Sequence, residues 1–280
     1  MALPTNVLGA GVQRAPVPTL DEGVELSEWV RATQHAVRFE ADGLRILVRG
    51  AEEVVVDWDA GADLTLLEAW LYGFAARTLL LHRGTFTLHG SLVVLDGRGV
   101  ALGGHSGAGK STTAIGLARR HGAQVVIDDV LPIEMVDGRP ITEPFARPLH
   151  LTDHAFERAG FAPDDAIRVG RGDITKLALG VEAPPGPTVV HELVLIDRDE
   201  SAGAPPLTVT ALRGAERLRR LVHLSNVSGL ASLGERAEAY FAWSTALADA
   251  LTVVEVRRAD GADTLEELCS LVAGGFRTDR

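Results

Sequence analysis

Three groups of residues have types and spacings that could do chemistry. The stretch GGHSGAGKSTT at 103–113 contains Gly104, His105, Ser106, Gly107, Ala108, Gly109, Lys110, Ser111 and Thr112, which satisfy G-x-x-x-x-G-K-[ST]. Glycines let a backbone approach phosphate closely and turn several N–H groups toward it. The lysine reaches the β- and γ-phosphates, and the hydroxyl binds Mg²⁺. The second group is Asp128 and Asp129, at the end of the apolar run AQVVI. Read as the last two residues of a strand, they point to opposite faces, one free to hold Mg²⁺ and the other to take a proton from an acceptor. The third is His89, in LHGS at a strand end before the glycine-rich loop. A histidine there is either a hydrogen-bonding residue of the framework or part of the site.

Those groups need elements to position them. The loop follows an apolar strand and opens a helix, predicted over 111–121 and stopped at Gly122. Asp-Gly pairs at 42–43, 96–97 and 137–138 predict three hairpins. LTLLEAWLYGFAARTLLL, 64–81, reads as a buried amphipathic helix with Thr65 and Glu68 at capping-box spacing and Leu67, Trp70, Leu71 and Phe74 on one face. Glu68 and Arg77 inside it argue against a membrane span. TLDEGVELSEW, 19–29, predicts a weak strand or a short helix. We divide the chain into an N-terminal α+β lobe (1–82), a P-loop core (83–206) and a mostly helical C-terminal region (207–280).

Composition narrows the classes of function. A net charge of −11 argues against nucleic acid as the main partner. The single cysteine, Cys269, excludes an internal disulfide and fits a reducing, cytoplasmic setting; LEELCSLV places it in a buried helix face. Of 27 basic residues only Lys110 and Lys176 are lysine, and one of the two stands in the loop. Lys176 is therefore a second candidate, a cation for charge developing on the leaving phosphate, against a plain surface lysine. Arg147 could clamp a phosphate or lie in solvent. His150, His154 and His191 lack metal-ligand spacing and read as structural or exposed. Arg213, Arg217, Arg219 and Arg220 read as a solvated helix face, with a docking patch for an acidic peptide as the alternative.

The segment from LHGS to VIDDV, 88–130, resembles the catalytic core of bacterial HPr kinase/phosphorylase. That family has His-Gly after a strand, a G-x-S-G-x-G-K-S loop fifteen residues on, and an Asp-Asp pair ending the next strand; His89 and Gly104 have this spacing. The resemblance implies an α/β, PEPCK-like P-loop kinase fold that uses ATP (or GTP) and Mg²⁺ to phosphorylate a protein hydroxyl. It implies Lys110 and Ser111 on nucleotide and metal, Asp128 on the metal, and His89 with the aspartates around the acceptor, Asp129 being taken as base. The family's I-R-G-L-G-I signature is not recognisable, and the N-terminal lobe differs. The chain is more similar to divergent HPr-kinase-like proteins that modify peptides, including lasso-peptide kinases. The expectation is a cytoplasmic kinase for Ser or Thr of a peptide or small protein, with no nucleic acid or membrane partner, and with a homo-oligomer as an option. A small-molecule kinase and a non-catalytic nucleotide sensor are the alternatives.

Overall fold

The structure, a computed structural model, describes residues 4–145, 149–151, 153–158, 167–169, 176–179, 186–225 and 227–276. In chain order the first strands are β1 (Asn6–Val7), β2 (Ala10–Arg14), β3 (Val24–Ser27), β4 (Val30–Ala32), β5 (Ala36–Ala41), β6 (Leu44–Arg49) and β7 (Glu53–Trp58). Helices α1 (Leu64–Trp70) and α2 (Ala76–His82) are joined by a π-helical turn, Leu71–Ala75. Then come β8 (Phe86–Leu95), β9 (Arg98–Gly103), α3 (Lys110–His121), β10 (Gln124–Ile127), β11 (Val130–Val136), β12 (Arg139–Thr142), β13 (Leu149–Leu151), α4 (Asp153–Arg158), β14 (Ile167–Val169) and β15 (Lys176–Leu179). The chain continues through β16 (Thr188–Val189), β17 (Glu192–Asp199), β18 (Leu207–Ala211), α5 (Gly214–Leu224), α6 (Ser228–Ala231), α7 (Arg236–Ala250), β19 (Thr252–Ala259) and α8 (Leu265–Gly274).

This mixed α/β chain divides into two compact units. The first is built mainly on Met1–Thr87 with Asn226–Phe241. Its strands form one sheet in the order β1-β2-β7-β6-β5-β4-β3, antiparallel except where β2 meets β7. Asp42 and Gly43 turn β5 into β6 with φ of 50° and 72°, the positive values that a two-residue hairpin consistent with strand twist requires. Stretch 19–29 gives strand β3, and no helix. The helical segment Leu64–His82 is long and apolar enough to cross a membrane by length and composition. Its buried residues include Leu67, Leu71, Phe74 and Leu79, and Phe39 of β5 packs edge-on to Trp70 at 4.5 Å and beside Phe74 at 4.9 Å. It is a core helix of this unit. Its cap differs from the expected box: Asp63 is the N-cap residue and accepts from the Thr65 N–H at 3.0 Å, so Thr65 already lies inside the helix.

The second unit is built mainly on Leu88–Arg168, Lys176–Ser225 and Ala242–Arg280. Its main sheet runs β16-β12-β11-β8-β9-β17-β19-β18 among the described residues, with β10 also paired to β8. Strands β9, β17 and β19 are parallel neighbours, so their C-terminal ends lie along one edge. Val100, Leu102, Val194, Ile196, Val254 and Val256 from these strands pack with Ala114 and Leu117 of α3 and Leu268 and Val272 of α8. Residues 207–280 hold helices α5 to α8 together with β18 and β19, which join this sheet; α8 packs in its core, and Asn226–Phe241 belongs to the first unit. Cys269 is fully buried on α8, where desolvation pushes its thiol up to about 11.

Candidate active site

The glycine-rich loop is shaped by what its glycines avoid. Gly103 ends β9, and a methyl group there would meet the Leu224 and Leu195 side chains at 2.5 and 2.9 Å. Gly104 has φ 142°, and its methyl would come 2.3 Å from the Ile196 carbonyl oxygen on β17. Gly107 and Gly109 have φ of 83° and 101°, values that L side chains rarely adopt. At Gly107 an added methyl would project into open space. The loop's floor is thus close-packed and its crest is clear. Lys110 is 7% exposed, and its Nζ donates to the carbonyls of Gly104 and His105 at 3.0 and 2.9 Å. Helix α3 has Gly109 at its N-cap and no side-chain cap there. The N–H groups of its first turn lie where an anion would meet them.

Beside this loop the two aspartates part company. Asp128 is 5% exposed. Ser111 Oγ lies 3.0 Å from each of its carboxylate oxygens, and Ser91 Oγ donates to Oδ1 as well. Asp129 keeps 38% of its side chain exposed, and its Oδ1 is 3.1 Å from His89 Nδ1. The difference does not come from strand alternation, since β10 stops at Ile127. Asp129 has φ 69°, and the Val130 N–H donates across it to the Asp128 carbonyl at 2.9 Å. That bond and that φ make a γ-turn centred on Asp129, a rare and strained conformation. It sends one carboxylate down to two serine hydroxyls and leaves the other at the surface beside His89.

A buried carboxylate with an adjacent hydroxyl is a hard oxygen donor set, suited to Mg²⁺ completed by water and phosphate oxygens. Among the described residues no group of three His, Cys, Asp or Glu forms a protein-only metal site. Asp128 and Ser111 would hold a metal, and the loop's N–H groups with Lys110 a phosphate chain.

The remaining candidates are scattered. His105 sits 3.4 Å from Asp197 of β17, and Ala108 is buried with its N–H on the His105 carbonyl. Lys176 opens β15, with its side chain outside the described residues, as are the side chains of His150 and His154; Arg147 lies outside them altogether. His191 Nδ1 accepts from the Gly99 N–H at 2.9 Å, a structural role. Only part of the expected arginine face on α5 behaves as one. Arg219 pairs locally with Glu216, whereas Arg217 reaches Asp249 and Arg220 bonds to Asp197 and Glu255. Ser91 was missed by sequence reasoning. Its signal was position: two residues beyond His89 on β8, it lies on the same face of the strand.

No family model matches the chain. It is 46% identical over 54 residues to HPr kinase/phosphorylase of Clostridium beijerinckii, covering 19% of this chain and 18% of that protein. It is 44% identical over 57 residues to the protein of the same name from Treponema pallidum, 20% of this chain and 18% of that one. Over these segments the chain is similar to HPr kinase/phosphorylases. The match spans under a fifth of the length of these relatives. The Hpr(Ser) kinase/phosphatase structure from Coxiella burnetii overlays 67% of this chain and 88% of its own at 14% identity and TM-score 0.34, a loose likeness.

Proposed function

We propose that this protein is an ATP- and Mg²⁺-dependent kinase, with GTP as the alternative donor, that phosphorylates a Ser or Thr hydroxyl of a peptide or small protein. The reading places 83–206 in a PEPCK-like P-loop core. The curated relatives are named for a protein acceptor, which favours a polypeptide substrate over a small molecule. The proposal adds a cytoplasmic setting, no nucleic acid or membrane partner, and allows a homo-oligomer.

The observation that carries it is the γ-turn: a carboxylate and an imidazole exposed together next to a buried carboxylate that shares its oxygens with the loop's Ser111. Mg²⁺, when bound, would neutralise phosphate charge. The loop N–H groups and Lys110 hold the triphosphate, while Asp128 and Ser111 hold the metal. Asp129 accepts the acceptor's proton as its oxygen bonds to the γ-phosphorus and the bond to the β–γ bridging oxygen breaks. His89 orients the Asp129 carboxylate, and Lys176 is assigned to charge on the leaving group. Catalysis of this kind is mostly positioning and charge stabilisation. The test is ³²P transfer from labelled ATP to candidate peptides with wild type and Asp129→Asn. Transfer lost with ATP binding retained supports the assignment, and wild-type turnover in the variant removes it. Unchanged ATP binding by Lys110→Ala in calorimetry would contradict the loop reading itself.

A further inference from the structure

The loop strand β9 has different neighbours on its two sides. On one side lies β8, carrying His89 and Ser91, with the Asp128–Asp129 corner following β10. On the other side lie β17 and then β19, both running parallel with β9, so residues at their C-terminal ends flank the loop. Ligands of parallel sheets collect at that edge. Arg198 of β17 and Arg258 of β19 are register partners, so their side chains leave the same face of the sheet. Arg198 Nη2 donates to the Gly107 carbonyl at 3.2 Å, and its Nη1 lies 3.8 Å from Asp260. Arg258 Nε donates to Thr264 Oγ1 at 2.8 Å, and a methyl group on Gly109 would come 3.0 Å from Arg258 Nη1. Thr264 is 3% exposed, so Arg258 is anchored at Nε while its Nη end lies against the loop.

A triphosphate chain is unbranched, with the nucleoside at the end opposite its γ-phosphate. If its γ end lies at the Asp129 corner, on the β8 side, its other end emerges over β17 and β19. We infer that Arg258, with Arg198 beside it, binds the ribose–base end of the nucleotide, so that the donor lies across the edge of the sheet from β19 toward β8. The planar guanidinium suits this role, since it can stack on a base and donate to ribose oxygens together. The inference rests on the nucleotide reading of the loop and adds its direction.

The test is calorimetric titration of ATP and of inorganic tripolyphosphate, which has the phosphates without the nucleoside, into the full chain. Wild type should bind ATP more tightly than tripolyphosphate. Arg258→Ala should raise the ATP Kd about 10-fold, as loss of a cation–π contact would, while the tripolyphosphate Kd stays within about twofold. Arg258→Lys, which keeps the charge and loses the plane, should stay close to the alanine variant. Arg198→Ala should show the same selectivity with a smaller effect and guards against misfolding of Arg258 variants. Equal weakening of both ligands would mean that the arginines only brace the loop, and would overturn the inference. So would equal wild-type affinity for the two ligands, although the loop reading would survive that result. Binding of neither ligand by wild type would remove both.

Discussion

Aspartate takes a positive φ at four corners among the described residues, and the corners fall into two kinds. Asp42, Asp96 and Asp137 each have φ 50° and each precede a glycine, with φ of 72°, 77° and 74°. These are hairpin corners in which both residues suit the turn. Asp129 has φ 69° and precedes Val130, which starts a strand. The hairpin corners direct the chain. The corner at the loop directs side chains, because its γ-turn separates a buried carboxylate from an exposed one. Strain without a glycine partner, next to a glycine-rich loop, marks the place where the fold gives up local comfort for geometry.

The comparison can be broken most decisively by charge removal. Asp129→Asn should lower turnover about 10³-fold, within the range of general-base catalysis, whereas Asp96→Asn should leave it unchanged; steady-state kinetics on both variants check this. Removing the hydroxyls around the buried partner comes next. Ser111→Ala and Ser91→Ala should each lower turnover about 10- to 100-fold and raise the Mg²⁺ concentration needed for half-maximal rate, with the larger shift for Ser111, the hydroxyl proposed to face the metal. A Mg²⁺ titration reads both.

A subtler test concerns the backbone. Asp96→Ala should cost about 1 kcal/mol, since alanine tolerates left-handed backbone less well than aspartate, with the proposed kinase activity kept. Asp129→Gly should hold stability near wild type while activity is lost, because glycine accepts the turn without supplying the carboxylate. Thermal unfolding with parallel assays separates the two.

The smallest effect belongs to the first unit. His82 is pushed down to about 4 by burial, and further by Arg236 and His35; its Nδ1 is 2.9 Å from Arg236 Nη2. An unfolded histidine titrates near 6.5, so the unfolded chain takes up this proton first as pH falls. Stability from neutral His82 is complete above pH 6.5 and declines between about 6.5 and 4. His82→Leu should flatten that part of a denaturation profile without altering the pH dependence of ATP binding.

What was legible in the sequence was local. Each Asp-Gly pair gave its hairpin, and the helix after Lys110 stopped at Gly122, because turn chemistry and caps are written in adjacent residues. The glycine-rich loop, His89 and the aspartates could be picked out by spacing for the same reason. The γ-turn could not, since nothing in VIDDV requires the strand to stop at Ile127, two residues before the second aspartate. The π turn at Leu71–Ala75 and the cap at Asp63 shift registers by a residue or two, below what apolar periodicity resolves. Arg198 and Arg258 stand sixty positions apart in sequence and meet only through the parallel register of β17 and β19. Pairings of that kind leave no short-range trace.

Gly104 has a consequence for anyone wishing to transplant this loop. Its backbone lies so close to the Ile196 carbonyl that a methyl group would come within 2.3 Å, which makes the neighbouring strand part of the mould in which the loop is cast. Residues 103–113 spliced into another strand–helix junction would carry the motif and leave half of its support behind. The smallest portable unit is the loop together with the strand beneath it.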